Sequence, residues 1–297
     1  MTVDVEYRGG AACDVLVALH ARRSFASIAR WRRDRPGAPV VVALTGTDIY
    51  RDLPASRRAR DSIAWATRLV VLQERAVDEL SPAERRKTRV IVQSADLVRR
   101  RGTKAGGRLR VCVLGHLRPE KDPFRAAMAV RRLPRESRVE VVHAGAALTA
   151  AMERRALRES ARNSRWRWIG DVPRTRALRL LAESDVMVLS SRMEGGAGVL
   201  SEALALGVPV IASRVPGIVG VLGGDHPGLF AVGDAAALAR LLRRAETDAT
   251  FVATLARAGA ARAHLVRPAR ERAAWRRLLA ELSRGRGPSG GSRSAGA

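Results

Sequence analysis

Short apolar runs alternate with amphipathic helical segments along almost the whole chain. This alternation is typical of parallel α/β folds, in which a helix crosses back over the sheet after each buried strand. Amphipathic segments predict helices at 24–33 and 56–66 in the first third of the chain. The apolar runs of this part predict strands at 3–7, 14–19, 40–44, 69–72 and 89–92. We therefore predict a first α/β domain at 1–98.

The periodicity breaks at 99–108, where a basic, glycine-containing stretch predicts a linker. A second alternating series follows and predicts a second α/β domain at 109–282, helical throughout after Asp234. Its strands are predicted at 109–114, 138–143, 166–169, 186–189, 209–212 and 229–232. The segment 283–297 is rich in Gly, Ser and Arg, which predicts a disordered tail. Two such domains place a ligand cleft between the carboxyl ends of their sheets.

The formal charge of +25 would suit a nucleic-acid-binding protein, but the pattern of the basic residues does not. Only three of the 54 basic residues are lysine, and the arginines are scattered over helix faces without interleaved aromatic residues. We therefore expect no dedicated nucleic-acid partner. No apolar run is long enough to span a membrane, and Cys13 and Cys112 have no metal-ligand spacing. We expect a cytoplasmic protein without a metal.

The most informative motif runs from Glu194 through a glycine-rich stretch to Glu202. It follows a predicted strand and opens a predicted helix, so it aims backbone N–H groups and a helix N-terminus at an anion such as phosphate. Carboxylates repel phosphate but accept hydrogen bonds from sugar hydroxyls. A nucleotide-sugar meets both requirements. The alternative is a structural turn, because glycine-rich turns are common in α/β folds and most bind nothing.

A second loop of the same kind follows the predicted strand at 109–114. Gly115 is succeeded by His116, Arg118 and Lys121. Cations at this position would neutralise a pyrophosphate leaving group, which is a large electrostatic contribution to transfer chemistry. The alternative interpretation is a solvated basic loop.

These two motifs together resemble the family-four clan of glycosyltransferases with the GT-B fold, over about residues 109–234. The resemblance implies two Rossmann-like domains facing a cleft, with Lys121 on the donor diphosphate, Glu194 facing the donor sugar and Glu202 on the ribose. The arginine that the family carries after the glycine is His116 here, so either His116 or Arg118 supplies the second cation. We expect Glu194, Lys121 and His116 to act in catalysis. The further donor-binding positions are Gly115, Arg118, Gly195, Gly196, Ala197, Gly198 and Val199.

A closer resemblance is carried by the strings LVALHARRS, VVALTGTDIYRDLP, VCVLGHLRPEKDP, SRMEGGAGVLSEA and GDAAALARLLRRAE, which span residues 16–246. They are similar to the selenosugar synthases of selenoneine biosynthesis. This resemblance implies a UDP-sugar donor, either UDP-glucose or UDP-N-acetylglucosamine, and selenophosphate as the nucleophile. It also implies a 1-selenosugar product and downstream selenoneine-pathway enzymes as partners. No cofactor is expected.

Selenium in selenophosphate is already anionic and needs no general base, but its phosphate needs a cationic pocket. The first domain offers polar residues after the strands predicted at 14–19 and 40–44. Asp48 has the wrong sign for an anion site, so we expect it to orient a neighbour or cap a turn; His20 is equally well explained as a structural histidine. The candidate acceptor-binding residues are His20, Arg22, Arg23, Thr45, Gly46, Thr47, Asp48 and Arg51.

Two other functions stay open: a conventional family-four glycosyltransferase with a hydroxyl acceptor, and a truncated nucleotide-sugar-binding protein without turnover. The second follows from the front of the chain. First domains of the GT-B fold normally begin with a strand, a glycine-containing loop and a helix before the strand predicted at 3–7. We therefore expect the first domain to be incomplete and the reading frame to continue upstream of Met1 for roughly 35–55 residues.

Overall fold

The computed structural model describes residues 3–10, 13–96 and 107–284 and contains two parallel sheets. The first sheet has the strand order β1-β2-β3-β4, with every pair parallel. Its second strand is buried along its whole length, as expected for a β-branched run covered on both faces. The four strands are β1 (Leu16–Leu19), β2 (Val40–Leu44), β3 (Arg68–Val71) and β4 (Thr88–Val90).

Short helices connect the strands of the first sheet. Ser56 begins one of them by accepting a hydrogen bond from the Ala59 amide, and Ser81 and Glu84 form a capping box at another. The helices are α1 (Phe25–Asp34), α2 (Leu53–Ala55), α3 (Arg57–Trp65) and α4 (Pro82–Arg86), with helical turns at Asp48–Asp52 and Glu74–Glu79.

The second sheet has six parallel strands in the order β10-β9-β8-β5-β6-β7. The order in which strands are added to the sheet reverses between β5 and β8, and such a switch point is where open α/β sheets bind ligands. Two buried apolar clusters cover the two faces of the sheet. The strands are β5 (Leu109–Leu114), β6 (Val139–Ala144), β7 (Trp166–Trp168), β8 (Val186–Leu189), β9 (Val210–Ser213) and β10 (Leu229–Phe230).

Eight helices and two helical turns follow β5 along the described chain. Asp234 and Asp248 each accept a hydrogen bond from an amide in the first turn of the helix that follows them. The helices are α5 (Arg125–Val130), α6 (Ala150–Arg162), α7 (Arg174–Ala182), α8 (Gly198–Leu206), α9 (Pro216–Leu222), α10 (Ala235–Thr247), α11 (Ala249–Arg262) and α12 (Pro268–Arg284), and the turns are Pro119–Lys121 and Ala263–Val266.

The last helix, α12, leaves the second sheet and packs on the first. Its buried Leu278 and Leu282 share an apolar cluster with residues of β2, β3 and Ile91. Glu281, between them in sequence, accepts hydrogen bonds from Arg68 and Arg89 at the same sheet. The amphipathic face of α12 therefore covers the first sheet, although this helix follows the second series of strands along the chain.

The α/β class with two parallel sheets is confirmed, and ten of the eleven predicted strands are present within one or two residues at most ends. The prediction of a strand at 3–7 was wrong. Val3 and Val5 are exposed, and Tyr7 instead lies against α1, with the ring centroids of Tyr7 and Trp31 5.2 Å apart and the Tyr7 amide bonded to Ser27. Because local contacts with α1 hold this segment, alternation of apolar residues was not enough to make it a strand.

Most of the predicted linker, at 99–106, and the predicted tail from residue 285 onward lie outside the described residues. Ser283 and Arg284 continue α12. The predicted domain boundaries stay predictions. No helix in the described part of the chain is both long and apolar enough to cross a membrane.

Burial of α12 on the first sheet predicts a large difference between two adjacent leucines. Leu278 is 1% exposed and Leu279 is 40% exposed. Leu278→Ala should lower the free energy of unfolding by about 2–5 kcal/mol, because it leaves a cavity against β2 and β3. The matched control Leu279→Ala should cost less than about 1 kcal/mol. Urea unfolding followed by tryptophan fluorescence measures both, and equal losses would show that α12 does not cover the sheet.

Candidate active site

The centre of the site is an ion pair between the two sequence motifs. Lys121 Nζ lies 2.6 Å from Glu194 Oε1, and the hydroxyl of Ser191 donates a hydrogen bond to the same oxygen. Glu194 is only 8% exposed. Ser191 follows β8, and its carbonyl accepts a hydrogen bond from the hydroxyl of Ser213, the last residue of β9. The ends of neighbouring strands therefore hold the carboxylate in a fixed position beside a single ammonium group.

The loop that carries Lys121 is anchored on both sides. Ser190 donates hydrogen bonds to the carbonyls of Lys121 and Asp122, at 3.3 and 3.0 Å. His143 Nε2 lies 2.9 Å from the carbonyl oxygen of Gly115, at the other end of the loop. Burial lowers the pKa of His143 to about 4, so the ring is neutral near pH 7 and donates its Nε2–H to that carbonyl. Sequence reasoning missed His143, although a histidine within an apolar strand was a visible signal.

The two candidates for the second cation differ in their surroundings. His116 is exposed, and its Nδ1 accepts a hydrogen bond from the Ala146 amide at 3.0 Å. A protonated ring would lose this acceptor. Arg118 is half-buried, and its Nε is buried without a hydrogen-bond partner in the described part of the chain. Both residues share the loop of Lys121, but of the two only Arg118 brings a buried donor without a partner in the described residues.

The second carboxylate of the glutamate motif lies on α8. Glu202 Oε1 accepts a hydrogen bond of 2.8 Å from Arg174, whose side chain is 67% exposed. The helix begins at Gly198 with Ala197 as its N-cap, as the motif predicted. The first N–H groups of a helix have no acceptor within it. The amides of Gly198 and Val199 are therefore placed to meet an anion, whereas the Leu200 amide is already bonded to the Ala197 carbonyl.

The glycines between the two glutamates lie directly against the first domain. A Cβ atom on Gly195 would sit 2.3 Å from the carbonyl oxygen of Thr45, after β2. One on Gly196 would sit 2.5 Å from Leu72 Cβ, after β3, and one on Gly198 would sit 3.4 Å from Gln93 Oε1, after β4. The loop 194–198 therefore meets the carboxyl ends of three strands, and at Gly195 and Gly196 the distances are too short for a side chain.

On the first-domain side, Asp48 organises two loops. It is fully buried and accepts hydrogen bonds from the amides of Ala21, Thr45 and Gly46, at 2.8 to 3.1 Å. Of the roles expected for this aspartate, the observed one is a cap that ties the loop after β1 to the loop after β2. Because these amides are bonded to Asp48, they are not free to bind an acceptor anion.

His20 lies between the same two loops. It is 5% exposed and has a backbone φ of 74°, a left-handed conformation that is strained for a residue other than glycine, asparagine or aspartate. Its Nε2 lies 3.0 Å from the hydroxyl of Thr47 and 3.7 Å from a carboxylate oxygen of Asp52. Burial is the largest cause that lowers the pKa of His20, so the ring is neutral near pH 7.

Asp52 and Glu120 are residues that sequence reasoning missed. Buried Asp52 accepts hydrogen bonds from the Nε atoms of Arg22 and Arg51, at 2.9 and 3.3 Å. Glu120, next to Lys121 in the second domain, accepts a 2.8 Å hydrogen bond from Arg51. The spacing of four residues from Asp48 was a signal for Asp52. The signal for Glu120 was an acidic residue within the otherwise basic loop that follows β5.

The charged residues of the two first-domain loops, together with Glu120 of the second domain, form a group that we call the first-domain cluster. Its formal charges cancel, because Arg22, Arg23 and Arg51 are opposed by Asp48, Asp52 and Glu120. The cluster is therefore not the strongly cationic pocket that the sequence predicts. It becomes cationic towards an incoming anion only when that anion replaces one of these carboxylates. In the part of the chain that the structure describes, no group of His, Cys, Asp and Glu side chains could hold a metal ion.

Two parallel α/β domains, closed over a lysine–glutamate pair at their strand ends, define the architecture of GT-B glycosyltransferases. The family described as "Glycosyl transferases group 1" matches residues 95–262, which is more than half of the chain. The chain belongs to this family.

Solved structures with the same fold cover almost all of this chain. HepE from Anabaena, in complex with UDP and glucose, is 18% identical with a TM-score of 0.74, over 91% of this chain and 78% of that one. Sucrose-phosphate synthase from Thermosynechococcus elongatus is 19% identical with a TM-score of 0.71, over 92% and 73%. At these identities the likeness establishes the fold. No curated protein sequence matches this chain.

The neutral state of His143 predicts a pH dependence of stability. Its pKa is about 4 in the folded protein against 6.5 for an ordinary histidine, so protons bind the unfolded chain more tightly. Its contribution is complete above pH 6.5 and is lost as the pH falls towards 4, by about 3 kcal/mol in total. His143→Gln should flatten the stability curve in this window, whereas the exposed His264→Gln should not. Parallel curves for wild type and His143→Gln, measured by urea unfolding, would contradict this assignment.

Proposed function

We propose that this glycosyltransferase moves a sugar from a UDP-sugar, either UDP-glucose or UDP-N-acetylglucosamine, to selenophosphate and forms a 1-selenosugar. The observation that carries the donor half is the buried Lys121–Glu194 pair beside the N-terminus of α8. Support for the nucleotide comes from structural neighbours, since HepE was solved with UDP and with UDP-glucose. The selenophosphate half rests on the resemblance of the sequence strings that span residues 16–246.

Each donor-binding residue has a proposed task. Lys121 leaves Glu194 and binds the diphosphate, which gains negative charge as the glycosidic bond breaks. Glu194 is then free to accept hydrogen bonds from the donor sugar. Glu202 binds the ribose hydroxyls. Its present partner Arg174 is mostly exposed, and an exposed ion pair is worth less than about 1 kcal/mol, so exchange is easy. The backbone of 195–199 lines the phosphate and the sugar.

We assign the second diphosphate cation to Arg118 rather than His116. The buried Nε of Arg118 has no hydrogen-bond partner in the described chain, and such donors are rare unless a ligand completes them. His116 already uses Nδ1 as an acceptor for the Ala146 amide, so a positive charge on its ring would break that bond.

The acceptor side is proposed to work by exchange of ion-pair partners. The phosphate of selenophosphate would replace Glu120 on Arg51 and contact Arg22 and Arg23, while Asp52 keeps Arg22 in place. Selenium then attacks C1 of the sugar as the C1–O bond breaks, and the electron pair leaves with UDP. Water cleaves the P–Se bond of the product to give the 1-selenosugar and phosphate. The nucleophile is an anion throughout, so no general base is needed.

One observation favours a second candidate function, transfer to a hydroxyl acceptor. The charges of the first-domain cluster cancel, and neutral His20 has Asp52 within 3.7 Å of its Nε2. A neutral imidazole supported by a carboxylate is suited to take a proton from a hydroxyl group.

Incubation with each UDP-sugar and either selenophosphate or a sugar alcohol separates these functions. Selenophosphate transfer predicts UDP release and a 1-selenosugar by mass spectrometry. Hydroxyl transfer predicts UDP release only with the alcohol. UDP binding by calorimetry without release from any mixture would identify a binding protein without turnover and would overturn both transfer proposals.

The two glutamates should separate binding from turnover. Glu194→Ala should lower kcat by about 10²–10³, because its partner changes charge in the transition state. Glu202→Ala should weaken UDP binding, because the ribose is held equally before and after transfer. UDP titration and initial rates measure the two effects, with the exposed Glu153→Ala as the control. A Glu194→Ala enzyme within about twofold of the wild-type rate would refute the assignment.

The cations of the diphosphate loop give a second comparison. Lys121→Ala should reduce both UDP-sugar affinity and kcat, since the diphosphate is charged before transfer and gains charge during it. Arg118→Gln should reduce both in the same direction, while His116→Gln should leave them close to wild type. The reverse order for Arg118 and His116 would pass the role of second cation to His116.

A further inference from the structure

Helix α9 lies between the loop of Glu194 and the first domain, and it touches both through glycines. Gly217 and Gly220 are three residues apart, so they lie on the same face of the helix. A Cβ atom on Gly217 would sit 1.8 Å from the carbonyl oxygen of Glu194. A Cβ atom on Gly220 would sit 1.9 Å from Oε1 of Gln73. The glycine face of α9 is therefore the spacer between the Glu194 loop and Gln73.

Gln73 is fully buried and follows β3 in the first domain. Its Nε2 donates a 2.8 Å hydrogen bond to the hydroxyl of Tyr50, and its Oε1 has no hydrogen-bond partner in the described residues. Burying an unpaired amide oxygen costs about 1–3 kcal/mol, which an apolar side chain of the same size would avoid. Packing alone therefore does not explain an amide at this position.

Tyr50 connects Gln73 to the proposed acceptor side. It lies within the turn Asp48–Asp52, which also contains Arg51 and the buried Asp52 that binds Arg22. The amide nitrogen of Gln73 thus bonds to Tyr50 in this turn, and its amide oxygen lies against Gly220 of α9. Leu72, the preceding residue, lies on Gly196 in the same way. A continuous series of contacts runs from the acceptor side to the backbone of Glu194.

We propose that Gln73 is a positioning residue, which sets the distance between the acceptor-binding turn and Glu194 through the glycine face of α9. The proposal rests on the proposed function in one respect, the assignment of Glu194 to the donor sugar. Lys121 and Glu202 both belong to the second domain, and in the described residues their hydrogen bonds go to Glu194 and Arg174 and not to Gln73. Gln73 therefore acts on the alignment of the two substrates and leaves donor binding unchanged.

A side chain at position 220 tests the proposal directly. The β-carbon of Gly220→Ala meets Gln73 Oε1 at 1.9 Å, whereas ordinary contact begins at 3.4 Å, so the two domains must separate or the amide must leave its place. A misplacement of about 1 Å between reacting groups costs about 10²-fold in rate. We expect kcat to fall roughly 10- to 100-fold, with the Kd for UDP within about twofold of wild type.

The decisive variant is the double substitution Gln73→Ala with Gly220→Ala. It removes Oε1 and leaves the nearest Gln73 atom, its Cβ, at 3.1 Å from the new methyl group. We expect its kcat to return to the level of Tyr50→Phe, several-fold below wild type, because both variants lack the hydrogen bond between Gln73 and Tyr50. Gly224→Ala is the matched control, because its methyl group would meet nothing closer than Val219 at 3.8 Å.

Two further measurements keep the result interpretable. Tyr50→Phe removes only the hydrogen bond to Gln73 and should lower kcat several-fold without changing UDP affinity, even if Gly220→Ala does not fold. Small-angle X-ray scattering with UDP bound should show a larger radius of gyration for Gly220→Ala and a wild-type radius for the double variant. This readout does not depend on turnover.

The outcomes are distinct. Wild-type kcat and radius in Gly220→Ala, or a loss that the double variant does not recover although it folds and binds UDP, would overturn the role of Gln73. Wild-type kcat in Tyr50→Phe would remove the link to the acceptor side and overturn it as well. If no form of the protein releases UDP from a UDP-sugar, the proposed function fails, and the scattering comparison alone decides whether Gln73 sets the spacing.

Discussion

The site depends on one steric constraint, the approach of the loop 194–198 to the first domain without intervening side chains. Thr45 and Leu72 occupy the space where β-carbons would be on Gly195 and Gly196. Side chains on these glycines would displace the loop, and with it the carboxylate that Lys121 holds at 2.6 Å. The absence of these two β-carbons is thus as important to the geometry as any bond in it.

Local pattern was enough to predict ten of the strands and to single out Lys121 and Glu194, although not the ion pair between them. The fully buried run Val40–Leu44 and its counterparts have a strong signal because both faces of a parallel sheet are covered. Lys121 and Glu194 could be found because each follows such a strand, and parallel strands end at the same edge. The strand predicted at 3–7 is absent because α1 covers only Tyr7, while Val3 and Val5 stay exposed and no described strand pairs with the segment.

The rest of the site comes from contacts between distant parts of the chain, which no local pattern encodes. Arg51 and Glu120 are 69 positions apart, and their pairing depends on how the two sheets face each other. Asp48 was recognised as unusual, but its partners in two loops were visible only in the structure. The acceptor is hardest to predict for the same reason, since six formal charges that cancel define no single ligand.

The return of α12 to the first sheet also affects how the chain is made. Its partner strands are complete at Ile91, but Leu278 follows 187 positions later in the sequence. At ribosomal rates of about 5–20 residues per second, this gap lasts roughly 10–40 s. During that time one apolar face of the nascent first sheet lacks its own cover, so a chaperone, or the growing second domain itself, must shield it until synthesis reaches the last helix.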